Sequence, residues 1–186
     1  MRLAGLVAAA ALVAGCYQDP DPFPYGITSL AVLPADVQPG SSLAGRLAGD
    51  HLTQLLMERT VFRVVGIDST SRILNAPEGV ELYRRFRSMA KTSGVIEGPV
   101  ARTIGNRLGV QGLLYPRLAL ALSGPVSGKM SLTLTVYEAN QGFRVWQGYS
   151  QRGFAGNPGE PAFNKTLGQL VEDVVSHMPR PAGEGQ

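Results

Sequence analysis

The stretch ITSLAVLPADVQPGSSLAGRLAGDHLTQLLMERTVFRVVGI, residues 27–67, reads as one β-α-β unit, and the rest of the fold can be laid out from it. Ile27 to Leu33 is an apolar run stopped by Pro34, which cannot continue a strand's hydrogen-bonded ladder. Asp36 to Gly40 reads as a loop, after which Ser41 or Ser42 can cap a helix. On a wheel of 3.6 residues per turn, Ala44, Leu47, Ala48, Leu52, Leu55 and Leu56 fall on one broad face, with Arg46, Asp50 and Thr53 opposite. Val61 to Ile67 is β-branched and aromatic, a second strand reached by a short connection. Two parallel strands joined by a helix take the right-handed crossover.

Beyond this unit, residues 69–109 read as helical with interruptions. Thr70 to Asn75 is expected to be a short turn, Ala76 to Gly79 a break, Val80 to about Thr92 a helix, and Glu97 to Leu108 another helix ended by Gly109. Three strands follow, at Leu113 to Leu122, Met130 to Glu138 and Phe143 to Arg152. The middle one alternates Met130, Leu132, Leu134 and Val136 with Ser131, Thr133, Thr135 and Tyr137. Ala139 to Gly142 turns it into the strand carrying Trp146. Glu160-Pro161 opens a last helix that buries Phe163, Leu167, Leu170, Val171 and Val174. The expected fold is α/β: a single domain over residues 27–178 with a mixed β-sheet, element order β-α-β-(α-α)-β-β-β-α, and helices packed on the sheet.

In front of this domain, Arg2 precedes an apolar run from Leu3 to Val13, the layout of an exported signal peptide and too short for a membrane helix of about 20 residues. Leu12-Val-Ala-Gly-Cys16 resembles the bacterial lipobox, in which small residues precede a cysteine that is lipidated before cleavage. That reading makes residues 1–15 a lipoprotein signal peptide and Cys16 the lipidated first residue of the mature chain. Cys16 is the only cysteine, so an exported chain forms no internal disulfide and the lipid blocks its one thiol. Multiple acyl chains hold a protein on a bilayer far more firmly than one does. Tyr17, where aspartate would retain an enterobacterial lipoprotein in the inner membrane, favours the outer membrane, with the domain facing the periplasm. Residues 17–26 (YQDPDPFPYG) read as a stiff, proline-rich linker of about 30 Å, and residues 179–186 as a disordered tail.

The chemistry that this sequence can support is narrow. A formal charge of +3 argues neither for nucleic acid nor for an anionic surface. His51 and His177 are the only imidazoles, and with Cys16 lipidated no metal-ligand set or cofactor is implied. Gly40-Ser-Ser-Leu-Ala44 lacks the final glycine of a nucleophile elbow, leaving helix capping as the better account of its serines. A hydrolase using Ser41 or Ser42 with His51 is the residual enzyme reading. Gly105 to Gly109 lacks the lysine and hydroxyl of a phosphate-binding loop. The one charged feature is basic: Arg84, Arg85, Arg87 and Lys91, with Arg72, Arg102 and Arg107 nearby in sequence. A solvated helix face accounts for it; the functional alternative is a docking surface for an acidic partner, or for anionic lipid or glycan beside the bilayer.

The opening strand Ile27 to Pro34, the amphipathic helix leading to Phe62-Arg-Val-Val65, the segment Ala101 to Leu114 and the hairpin Val136 to Trp146 occur in an order that resembles the domain shared by curli-secretion lipoproteins and penicillin-binding-protein activator lipoproteins. The resemblance implies a non-catalytic protein that binds or assembles other envelope proteins, with a homo-oligomer among its forms. Two features depart from those families. Ser123 to Gly128 is a short turn where a secretion channel has long membrane-spanning hairpins, which argues against a self-formed pore. The linker after Cys16 is also short where the synthase activators carry a long disordered tether.

Overall fold

A computed structural model describes residues 22–181 of the chain, so Cys16 and the segment preceding Pro22 lie outside the described residues. Six strands and five α-helices form one mixed α/β domain: β1 Ser29–Val32, β2 Asp36–Gln38, α1 Ser42–Arg59, β3 Arg63–Val65, α2 Ile67–Leu74, α3 Pro77–Thr92, α4 Gly98–Leu108, β4 Gly112–Gly124, β5 Ser127–Glu138, β6 Arg144–Ala155 and α5 Pro161–Val175. The sheet runs β3-β1-β4-β5-β6, and β2 also pairs with β4. β1 is parallel to both β3 and β4, whereas β4, β5 and β6 are successively antiparallel.

Helices cover both faces of this sheet. On one face α1 and α5 place Ala48, Leu52, Leu56, Phe163, Leu167 and Leu170 against Leu30, Val32, Leu114, Leu132, Leu134 and Val136. On the other, α3 and α4 place Phe86, Ala90, Ala101 and Ile104 against Ala31, Leu33, Leu113, Tyr115 and Tyr137. β1 is therefore buried on both sides, which is why its sequence runs apolar from Leu30 to Val32 rather than alternating. α2 contributes Ile67 to the first cluster and Leu74 to the second, carrying the chain around the short edge strand β3.

Several boundaries differ from the sequence reading. Asp36 to Gln38, expected as loop, is the short strand β2, which pairs with Arg117 to Ala119 after β1 has left the same edge of β4 at Leu33. Pro116, which has no N–H to give, falls opposite that interruption. The expected turn at Thr70 to Asn75 is most of helix α2, and the expected break at Ala76 to Gly79 is the start of α3, with Pro77 in its first turn. Ser41, not Ser42, caps α1: its Oγ accepts from Ala44 N at 3.2 Å. Gly109 ends α4 in the left-handed conformation at φ 64, as its sequence position implies.

The folded unit also reaches further at both ends. Phe23, read as part of the linker, is buried, edge-on to Phe62 at 5.6 Å between ring centroids. Its N–H donates to Arg180 O, so residues assigned to linker and tail hold each other. The sequence hid this because prolines flank Phe23 on both sides and leave no periodicity to read.

The sheet gives the domain two poles. At one, which we call the base, lie the starts of β1, β3 and β4, the β5–β6 turn, the end of α1, and the Phe23–Arg180 contact. At the other, the apex, lie the ends of β1 and β2, the capped start of α1, and the β4–β5 turn.

Candidate functional site

A polar cleft of about 550 Å³ opens at the apex beside Asp36, Ser41, Arg46, Asp68, Ser71 and Arg87. Its position follows from topology. From β1 the chain leaves through α1 to β3 on one side, then returns through α2, α3 and α4 to β4 on the other side, so the connections diverge at the carboxyl end of β1.

At the cleft floor Asp36 is 3% exposed and one of its oxygens, Oδ1, accepts from Arg87 Nη2 at 2.6 Å and lies 2.7 Å from Lys91 Nζ. Arg87 and Lys91 stand one helical turn apart on α3, so both reach the same carboxylate. Burial alone would raise the Asp36 pKa, but the hydrogen bonds and charges of Lys91 and Arg87 outweigh it and hold the carboxyl below its ordinary value. Tyr83 donates to Pro34 O at 2.6 Å, fixing the bend between β1 and β2, and its ring lies under the Arg87 guanidinium at 6.0 Å. Burial pushes Tyr83 well above the usual phenol range, and burial together with the Asp36 charge pushes Tyr115 up to about 12. Both phenols therefore stay neutral across physiological pH. Asp36 Oδ2 and Tyr115 OH are buried and reach no hydrogen-bond partner among the described residues.

The four basic residues singled out in the sequence thus do different things. Arg84 is paired with Glu81 at 2.6 Å and Arg85 with Glu97 at 2.9 Å, all four side chains exposed. Arg87 and Lys91 turn inward to Asp36. Asp36, Tyr83 and Tyr115 were missed as site residues because 51 positions separate Asp36 from Arg87, and no local period links them. The one available signal was an acidic residue straight after an apolar strand, Ala35-Asp36-Val37.

Ser41, the cap of α1, and His51 within it stand ten residues apart, about 15 Å along the helix axis, which is no nucleophile–base pair. His51 lies in a separate hollow beside Gly168 and Glu172, and His177 Nδ1 is 2.8 Å from Asp173 O. Among the described residues no group of three or more His, Cys, Asp or Glu could hold a metal ion. No helix among them is long and apolar enough to cross a membrane.

The fold is similar to that of PelC. A PelC dodecamer from Paraburkholderia phytofirmans is 14% identical, with a TM-score of 0.54 over 88% of this chain and 95% of that one. The lipoprotein GNA1162 from Neisseria meningitidis is 16% identical, covering 80% of this chain and 96% of that one at a TM-score of 0.47. The LpoB C-terminal domain from Escherichia coli is 14% identical, covering 69% and 85% at a TM-score of 0.45. At these identities the likeness is one of fold. No protein-family model and no curated protein matches the chain.

Proposed function

We propose that the protein is a membrane-anchored envelope lipoprotein whose domain is a non-catalytic module for binding or assembling a larger envelope complex. The position of Phe23 carries this reading. It is a core residue only seven positions after the lipobox Cys16, so a lipid on Cys16 keeps the domain within about 25 Å of the bilayer. A domain held that close works on neighbours in its own membrane, here the outer membrane seen from the periplasm. Arg84 and Arg85 are the members of the basic helix free to meet an acidic partner, because exposed ion pairs exchange readily and contribute little. Crosslinking in intact cells should capture a defined envelope protein. A protein that captures none, and whose deletion leaves envelope complexes intact, would contradict the proposal.

A second reading, a ring-shaped homo-oligomer, is favoured by the fold likeness to PelC, which was solved as a dodecamer. Mass measurement of the detergent-solubilised lipoprotein should then show a closed oligomer, and a strictly monomeric protein would exclude it.

A further inference from the structure

We propose that the base of the domain is a seating face for anionic phospholipid headgroups, made by Arg63, Arg102 and Arg144 with Tyr25, Val61 and Phe143. The proposal deepens the lipid-anchor reading and rests on it.

The sheet itself sets these side chains in one row. Arg63 opens β3 and Arg144 opens β6, at the same end of the sheet as Ser29, Gly112 and Glu138. Four strand spacings separate the outer two, about 19 Å. Arg102 joins them by donating to Asn140 O in the β5–β6 turn at 3.0 Å. None of the three is ion-paired among the described residues: Arg63 donates to Gly109 O and Arg144 to Gln147 Oε1. Among the described residues, the carboxylates near this pole are engaged elsewhere. Glu172 is held by Arg59 and Glu97 by Arg85, while Glu138 is buried under its own turn, accepting from Asn140 N and Gln141 N. Glu58 is the exposed exception, taken by Gln54. On the basic helix α3, by contrast, every cation discussed above is ion-paired, with Arg87 and Lys91 sharing Asp36.

Apolar side chains stand out from the same pole. Val61 is 63% exposed and Phe143 47%. Tyr25 is 65% exposed and is the one non-glycine described residue with positive φ, at 64°. An aromatic residue strained in the left-handed region with its ring in solvent gains nothing from the domain's own core. Tyrosine and arginine beside exposed apolar groups are the residue types that bilayer interfaces take up.

Where the chain enters decides the occupant. Phe23 is fixed at the base by Arg180 and Phe62, and seven residues separate it from Cys16. The tether spans at most about 25 Å, whereas β4, with 13 residues, puts the apex about 40 Å from the base. The base is the pole that the tether can draw flat against headgroups. Attraction between arginines and anionic lipid acts within about 8 Å at physiological ionic strength, so that contact is required for it to matter.

The lipidated protein can be placed in vesicles of phosphatidylcholine, alone or mixed with phosphatidylglycerol. An environment-sensitive fluorophore is attached at Phe143→Cys or, as the apex reference, at Val126→Cys; acylated Cys16 leaves each thiol unique. The base fluorophore should be shielded from aqueous iodide several-fold more than the apex one, on mixed vesicles only. High salt, or Arg63→Gln, Arg102→Gln and Arg144→Gln together, should remove most of that shielding while the protein still floats with the vesicles. Equal quenching at both positions, shielding that persists through salt and the triple substitution, or shielding already present in detergent, would overturn the proposal. Mass spectrometry of the N-terminal peptide separates this from failure of the anchor reading: an unmodified Cys16 would remove both.

Discussion

Asp36 concentrates two cations on one oxygen of a buried carboxylate, and through them it ties β2 to α3 across the second core. Asp36→Ala should destabilise the domain by about 2 kcal/mol in urea denaturation, below the range for a fully buried pair because Arg87 and Lys91 can return to water. The pH dependence has a definite sign. The folded pKa of Asp36 lies below its unfolded value, so its contribution is complete above the unfolded value of about 3.9 and is lost as pH falls through the folded one. The urea midpoint should fall below about pH 4 in the wild type, and Asp36→Asn should flatten that fall. A midpoint with the same acid slope in both proteins would show that the clamp contributes nothing.

At the scale of elements, packing distances select the residues that matter. A Cβ on Gly105 would sit 2.5 Å from Ala139 Cβ and 3.2 Å from Val110 O, which is how closely α4 approaches the β5–β6 turn. Gly105→Val should therefore cost about 1–3 kcal/mol through overpacking, despite valine's larger apolar surface. Ser41→Ala should cost about 1 kcal/mol through loss of the α1 cap, whereas Ser42→Ala should cost little. Elements with sustained periods were legible in the sequence: α1 and α5 each bury one face of a repeating pattern, and β5 alternates from Lys129 to Leu134 before both its faces are covered. β2 and α2 were not. Three residues are too few to show alternation, and α2 starts at Gly66 with no side-chain cap to mark it. The Asp36 cluster was invisible for a different reason, since the fold brings its members together across the β1–β4 crossover. Of the basic helix, the sequence revealed the charge of α3 but not which carboxylate each cation would find.

At the scale of the whole molecule, the two poles of the sheet differ in what they carry. The base is where the chain enters the domain at Phe23, and it carries Arg63, Arg102 and Arg144; the β4–β5 turn lies about 40 Å away, and the Asp36 cleft about 17 Å, at the level of Arg117. Phe23→Ala should destabilise the domain by about 3–4 kcal/mol, because the ring is a core member and not part of a passive linker. The most direct test of the central claim is the mass of the N-terminal peptide of the protein purified from membranes of a bacterial host. The expected peptide begins at Cys16 and carries diacylglyceryl and N-acyl groups. A chain that retains Met1, or that begins at Cys16 with a free thiol, would contradict it.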